Sequence, residues 1–182
     1  MCPERTPLRN ALRAAASAFK ANAQSFALAG SYALWVHGAP EPDHDVDFVV
    51  PEPDTEAAVK ILAQNGFDIE RTPEDWLFKA YFDGVLVDIL HRLNGVPVDA
   101  VLLAGAVERE VLAISMPVLT PDAVITQKLL TLNEHHCDFA PLLPAVRAVR
   151  EQLDWPRIRE LAAENDFAMA FLELAARLRL DR

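Results

Sequence analysis

Two apolar and aromatic runs, residues 76–82 and 85–90, flank the dipeptide Asp83-Gly84. Asp-Gly accepts the positive φ angles of a two-residue hairpin turn, so this stretch predicts an antiparallel strand pair. The turn also sets the register. Phe82 faces Val85, and counting outward puts Lys79 opposite Asp88, with both side chains on one face of the sheet. The other strands and helices interleave irregularly around this hairpin. That pattern predicts an α+β fold rather than a doubly wound sheet.

The rest of the chain supplies those elements. Leu8, Leu12, Ala15, Ala16 and Phe19 recur near helical period and predict a first helix over residues 7–22. Phe26-Ala27-Leu28 reads as a short buried strand closed by Gly30, with a helix over 31–37 stopped by Gly38 and Pro40. Glu41-Pro42-Asp43-His44 is a turn. Residues 45–50 alternate and then become fully apolar, which predicts a central strand ended by Pro51 and Pro53. Asp54 is placed to cap a helix that runs to Gln64, and residues 67–71 follow as a strand. A short helix at 99–106 and a last, weaker strand at 111–115 complete the catalytic region, 1–118. Thr120-Pro121-Asp122 then opens a helical region, 119–182, with a capping hydroxyl, a proline at the first helical position and an early acid. The first helix of this half is expected to span residues 122–139. Trp35, Trp76 and Trp155 are expected in the core.

Composition narrows the function. No apolar run approaches the roughly 18 residues of a membrane span, and residues 1–20 lack the apolar centre of a leader. Two cysteines, Cys2 and Cys137, make neither a disulfide scaffold nor a zinc site and fit a reducing cytoplasm. The net charge is −10, and it is concentrated in residues 1–119, which carry 9 basic and 17 acidic residues. Such a balance argues against a broad basic groove for long nucleic acid. Arg147, Arg150, Arg157 and Arg159 form the one basic cluster that an RNA end would meet, and otherwise read as a solvated face.

The chemistry gathers around two acids. Asp45 and Asp47 alternate on a strand and project from the same face. Two carboxylates side by side on an apolar strand repel unless a cation neutralises them. Magnesium takes carboxylate oxygens together with substrate phosphates, which makes it the natural cation here. Asp88 sits mid-strand among Val85, Leu86, Val87, Ile89 and Leu90 and also needs a partner. That partner is either Lys79 across the hairpin or a shared cation. Three carboxylates on neighbouring strands suffice for two metal ions and in-line phosphoryl displacement, with the third acid taking the proton of the attacking hydroxyl. Gly30-Ser31, between a strand and a helix, aims backbone N–H groups and a hydroxyl at an anion.

Ala29-Gly30-Ser31, thirteen intervening residues and Asp45-Val46-Asp47-Phe48, with Asp88 on a later strand, resemble the signature of the polymerase-β-like nucleotidyltransferase superfamily. The match covers about residues 26–90. Order of elements over nearly the whole chain is similar to small bacterial nucleotidyltransferases, and the helical half resembles the abortive-infection type, toxins of toxin–antitoxin pairs included. The resemblance implies metal ligands Asp45, Asp47 and Asp88, which are also the catalytic residues. It implies two Mg2+ ions, with Mn2+ as an alternative, and an NTP as donor. Gly30, Ser31, Lys128 and Asp138 are the implied nucleotide-binding residues; Lys79 is a further candidate for the nucleotide, read first as a structural partner of Asp88. Two departures stand out: Pro141 occupies the place of a second acid after Asp138, and 41–44 lack the basic residue many such toxins carry.

On an unbroken helix over 122–139, Lys128, Thr131, His135 and Asp138 would form one stripe facing the catalytic half. The expected activity is transfer of a nucleoside monophosphate to an acceptor hydroxyl with release of pyrophosphate. RNA, at a tRNA 3′ end, is the leading acceptor, in a toxin with an antitoxin protein as partner. An aminoglycoside or lincosamide is the alternative acceptor, and a non-catalytic binding module on the same fold is the rival from another class.

Overall fold

The computed structural model describes residues 6–181, so Cys2 and the first residues of the N-terminal stretch lie outside the described chain. Helix α1 (Thr6–Ala21) leads into β1 (Ala27–Ala29), α2 (Gly30–Val36) and β2 (Val46–Val49). A 3-10 turn (Glu52–Asp54) opens α3 (Thr55–Gln64). Asp54 occupies the N-cap position without making a side-chain cap bond, and the Thr55 hydroxyl donates to the Glu52 carbonyl instead. Strands β3 (Asp68–Arg71), β4 (Leu77–Phe82) and β5 (Val85–Leu90) follow, then the small hairpin β6 (Arg92–Leu93) and β7 (Val96–Pro97). After α4 (Ala100–Ala104), β8 (Val107–Val111) and β9 (Ile114–Val118) end the sheet, and α5 (Pro121–Leu130), α6 (Leu142–Val149), α7 (Trp155–Leu161) and α8 (Asp166–Arg177) complete the molecule.

Seven strands form one mixed sheet in the order β3-β4-β5-β2-β1-β9-β8. The β4–β5 hairpin turns at Asp83-Gly84 and has the expected register, Phe82 with Val85 and Lys79 with Asp88. β2 runs parallel to β5, with Asp47 opposite Asp88, and antiparallel to β1, with Asp47 opposite Ala29. Helices α1 and α3 pack on one face of this sheet. That face presents Val46, Phe48, Phe78, Ala80, Val87 and Ile89, all buried. Phe19 of α1 and Phe26 meet Phe48 with ring centroids 5.9 and 5.7 Å away, so the strand that carries Asp47 is backed by three interlocked aromatic rings.

Two expectations about local structure are corrected. The weak strand expected at 111–115 is a full hairpin, β8–β9, turning at Leu112 and Ala113 with φ of 51° and 64°. Neither residue type prefers positive φ, so the sequence carries no turn signal there. The helix expected over 122–139 stops at Leu130. Polar side chains capture the backbone beyond it: Asn133 Oδ1 accepts from the His135 N–H, Asp138 Oδ1 from the Ala140 N–H, and Asn165 Nδ2 donates to the carbonyls of Leu130 and Leu132. Such bonds offer the chain an alternative to helix, which ends α5 early. Buried side chains from α1 through α8 form one continuous core. Among the described residues, no helix is long and apolar enough to cross a membrane.

Candidate active site

Strand alternation delivers the acids. The side chains of β2 and β5 that do not enter the aromatic core point to the other face, and there Asp45, Asp47 and Asp88 bring carboxylate oxygens within 4.8 Å of one another. The loop ahead of Asp45 is fastened from behind: Arg9 Nε and Nη2 bind both carboxylate oxygens of Glu41 at 2.7 and 2.6 Å. This paired geometry fixes orientation as well as distance. Glu41 is thus a strut between α1 and the acid loop.

Gly30 makes the close packing feasible. Its φ is +57°, and a Cβ at this position would lie 1.7 Å from Asp47 Oδ2. Only glycine both tolerates the left-handed backbone and leaves the Asp47 carboxylate its space. Ser31 follows in the first turn of α2, half-buried.

The carboxylates are short of positive charge. Burial, reinforced by the neighbouring Asp45 charge, pushes the Asp47 carboxyl up to about 7, with Lys128 acting in the opposite sense. Asp88 is pushed up to about 6 by burial and by Asp45, while Lys79 pulls it down. Among the described residues Asp88 Oδ1 is buried without a hydrogen-bond partner, and no ion pair joins Asp88 to Lys79. The hairpin neighbour therefore does not satisfy this acid by contact. His44, exposed in the turn ahead of the acids, meets Asp45 Oδ1 through its Nδ1. Three converging carboxylates, one with an orphaned buried oxygen, fit a hard divalent cation, with Asp45, Asp47 and Asp88 as its holders.

Beside Asp47 opens a cleft of about 440 Å3, walled by Gly30, by Leu90 at the end of β5, by Val124, Gln127 and Lys128 of α5 and by Thr131 just beyond it. Lys128 and Thr131 of the expected stripe reach the cleft; His135 and Asp138 belong to the exposed loop after α5, so the stripe does not form. Asp138 is engaged in its own turn. Lys79 lies on the acid face, one strand beyond Asp88.

Two cleft features escaped the sequence reading. Trp76, expected in the core, is 41% exposed and forms part of the wall. The β6–β7 hairpin turns at Asn94 and Gly95 over the rim, with φ of 49° and 80°. Asn-Gly is among the strongest two-residue hairpin signals, so this element was legible. Trp76 was not, because exposure of a single aromatic depends on what the tertiary fold leaves uncovered.

No family model and no curated protein sequence matches the chain. Solved structures do. ANT(2")-Ia in complex with adenylyl-2"-tobramycin is 17% identical, with 94% of this chain and 97% of that one covered at a TM-score of 0.55. The lincosamide antibiotic adenylyltransferase LnuA, solved with lincomycin bound, is 14% identical over 75% and 92% of the two chains at 0.55. An antigenic nucleotidyltransferase-like protein from Paracoccidioides brasiliensis is 12% identical over 92% of each chain at 0.50. These similarities establish the fold, which is that of nucleotidyltransferases.

Proposed function

We propose that the protein is a divalent-metal-dependent nucleotidyltransferase that moves a nucleoside monophosphate from an NTP to the hydroxyl of a small molecule. The observation that carries this reading is the convergence of Asp45, Asp47 and Asp88 beside a cleft that Lys128 also enters. Bound at the three acids, a divalent cation such as Mg2+ supplies charge neutralisation for the donor phosphates and the leaving group.

Each residue then has a task. Asp45, just ahead of β2, and Asp47, on it, would hold the cation together with Asp88. Gly30 and Ser31 present the start of α2 to the polyphosphate, and Lys128 meets it as a point charge from the opposite wall. Asp88 accepts the proton of the acceptor hydroxyl. The hydroxyl oxygen forms a bond to the α-phosphorus as the bond to the β-phosphate oxygen breaks, and pyrophosphate departs.

A small acceptor is favoured by the fold neighbours that act on antibiotics and match over most of both chains. Transfer to a tRNA 3′ end, in a toxin with an antitoxin partner, is the second reading. Lys128 entering the cleft from the helical half speaks for it. The basic cluster speaks against it, since Arg150, Arg157 and Arg159 are each ion-paired to an acid.

The test incubates the protein with Mg2+, each α-labelled NTP, and either total tRNA or a panel of aminoglycosides and lincosamides, beside an Asp45→Ala/Asp47→Ala control. Label on a small molecule with wild type alone is the expected result. Label on tRNA instead would move the acceptor to RNA. Absence of both labelled product and pyrophosphate across all acceptors would sink the transferase reading.

A further inference from the structure

We infer that the cleft beside Asp47 receives the base of the donor nucleotide, with Trp76 as its stacking platform and the Asn94–Gln127 amide pair as the edge that reads it. The inference rests on the nucleotidyl-transfer reading.

Trp76 is exposed without being loose. Its carbonyl accepts the N–H groups of His91 and Arg92 at 3.0 and 3.2 Å, which pins the residue to the end of β5. With its main chain so held, the part-exposed indole in the cleft wall offers a flat apolar face, and a stacked base covers such a face with little sequence preference. Leu90 and Val124 make the adjoining walls apolar as well.

Charge orients the occupant. Asp47 is the one acid of the lining, against Lys128 and Arg92, and Arg92 is already tied to Glu52 at 2.6 Å. The polyphosphate therefore belongs at the Asp47–Lys128 end, and the apolar Trp76 end is left for the base. A volume of about 440 Å3 takes a nucleoside and falls in the range of small-molecule sites.

The rim supplies reading groups. Asn94 Nδ2 donates to both the backbone carbonyl and the side-chain Oε1 of Gln127. That arrangement leaves the Gln127 Nε2 hydrogens as donors and Asn94 Oδ1 as an acceptor on two residues of the cleft lining, and a base edge presents the complementary groups.

Equilibrium binding with Mg2+ and no acceptor tests the assignment, using ATP, GTP, CTP, UTP and tripolyphosphate as probes. Trp76→Ala is expected to weaken all four nucleotides by about 5- to 100-fold and to leave tripolyphosphate unchanged, with Trp76→Phe keeping most of the affinity. Gln127→Ala is expected to change the ranking among the four bases, and nucleotide binding is expected to quench tryptophan emission in wild type but not in Trp76→Phe. Nucleotide affinities within twofold of wild type in Trp76→Ala, or an equal loss for tripolyphosphate, would overturn the inference. So would an acceptor KM that rises in Trp76→Ala while nucleotide binding holds, since the cleft then belongs to the acceptor and nucleotidyl transfer stands. A wild type that binds neither nucleotides nor tripolyphosphate defeats the parent reading and the inference together.

Discussion

The two faces of the central sheet are made from the same strands and differ by one residue in phase. Phe48, Val87 and Ile89 point to one side, where α1 and α3 bury them completely. Asp47 and Asp88, their immediate neighbours in sequence, point to the other, where their carboxylates crowd together. The first face lowers the free energy of the fold through apolar burial and ring packing. The second raises it, because like charges are buried and brought close together. Stability and chemistry are thus assigned to alternate residues, and the buried face holds the strained one in place.

The comparison predicts opposite outcomes for adjacent substitutions. Under the proposed function, Asp47→Asn is expected to reduce nucleotidyl transfer about 1000-fold or more, as loss of a carboxylate assigned to the metal would remove several kcal/mol of transition-state stabilisation. The same change is expected to raise the melting temperature of the metal-free protein, since it deletes a charge that burial and Asp45 disfavour. Phe48→Ala is expected to cost about 3–5 kcal/mol of stability, a fall of roughly 6–20 °C in melting temperature. Thermal melts of both variants decide the matter; a drop for Asp47→Asn comparable to that for Phe48→Ala would erase the division between faces.

Gly30→Ala sharpens the boundary. The added methyl has to displace Asp47 Oδ2 and adopt a left-handed backbone, so activity is expected to fall about 100-fold, with about 1–2 kcal/mol of destabilisation. A variant with wild-type activity would show that the acid cluster is not held by this contact.

Acidity gives a smaller, graded effect. Asp47 and Asp88 have folded pKa values of about 7 and about 6, above the ordinary 3.8. Between these limits the native state holds protons that the unfolded chain has released, so this contribution to stability is full below about pH 4 and is lost as pH rises through 6 and 7. Metal-free protein is expected to melt progressively lower from pH 5 to pH 8. Added Mg2+ is expected to raise the melting temperature more at pH 8 than at pH 5.5, because the ligands must be ionised to bind. Equal Mg2+ shifts at both pH values would contradict a site built on these acids. Last, Lys128→Ala is expected to raise the KM for the nucleotide about 10-fold with little change in stability, measured by steady-state transfer.

What could be read before folding follows the range of the forces involved. The Asp83-Gly84 turn and the alternation of 45–50 are local, and they delivered the Lys79–Asp88 register and the shared face of Asp45 and Asp47. The Asn94-Gly95 turn was equally local and went unread. The Leu112-Ala113 turn was not legible, because its positive φ angles are imposed by strand pairing on residues that do not favour them. The early end of α5 depends partly on Asn165, a residue far along the chain that reaches back to its last carbonyls. Helical periodicity carries no information about such a contact.

The parallel pairing of β2 with β5 has a bearing on how the molecule assembles. Asp88 reaches its place in a local hairpin, but Asp47 joins it only when a strand from before α3 closes onto that hairpin. Closure over such a separation is the slow kind of step in folding. The repulsion between the two carboxylates is therefore met at that docking event, so removing one of the two charges, as in Asp47→Asn, is expected to speed the union of the two halves of the site.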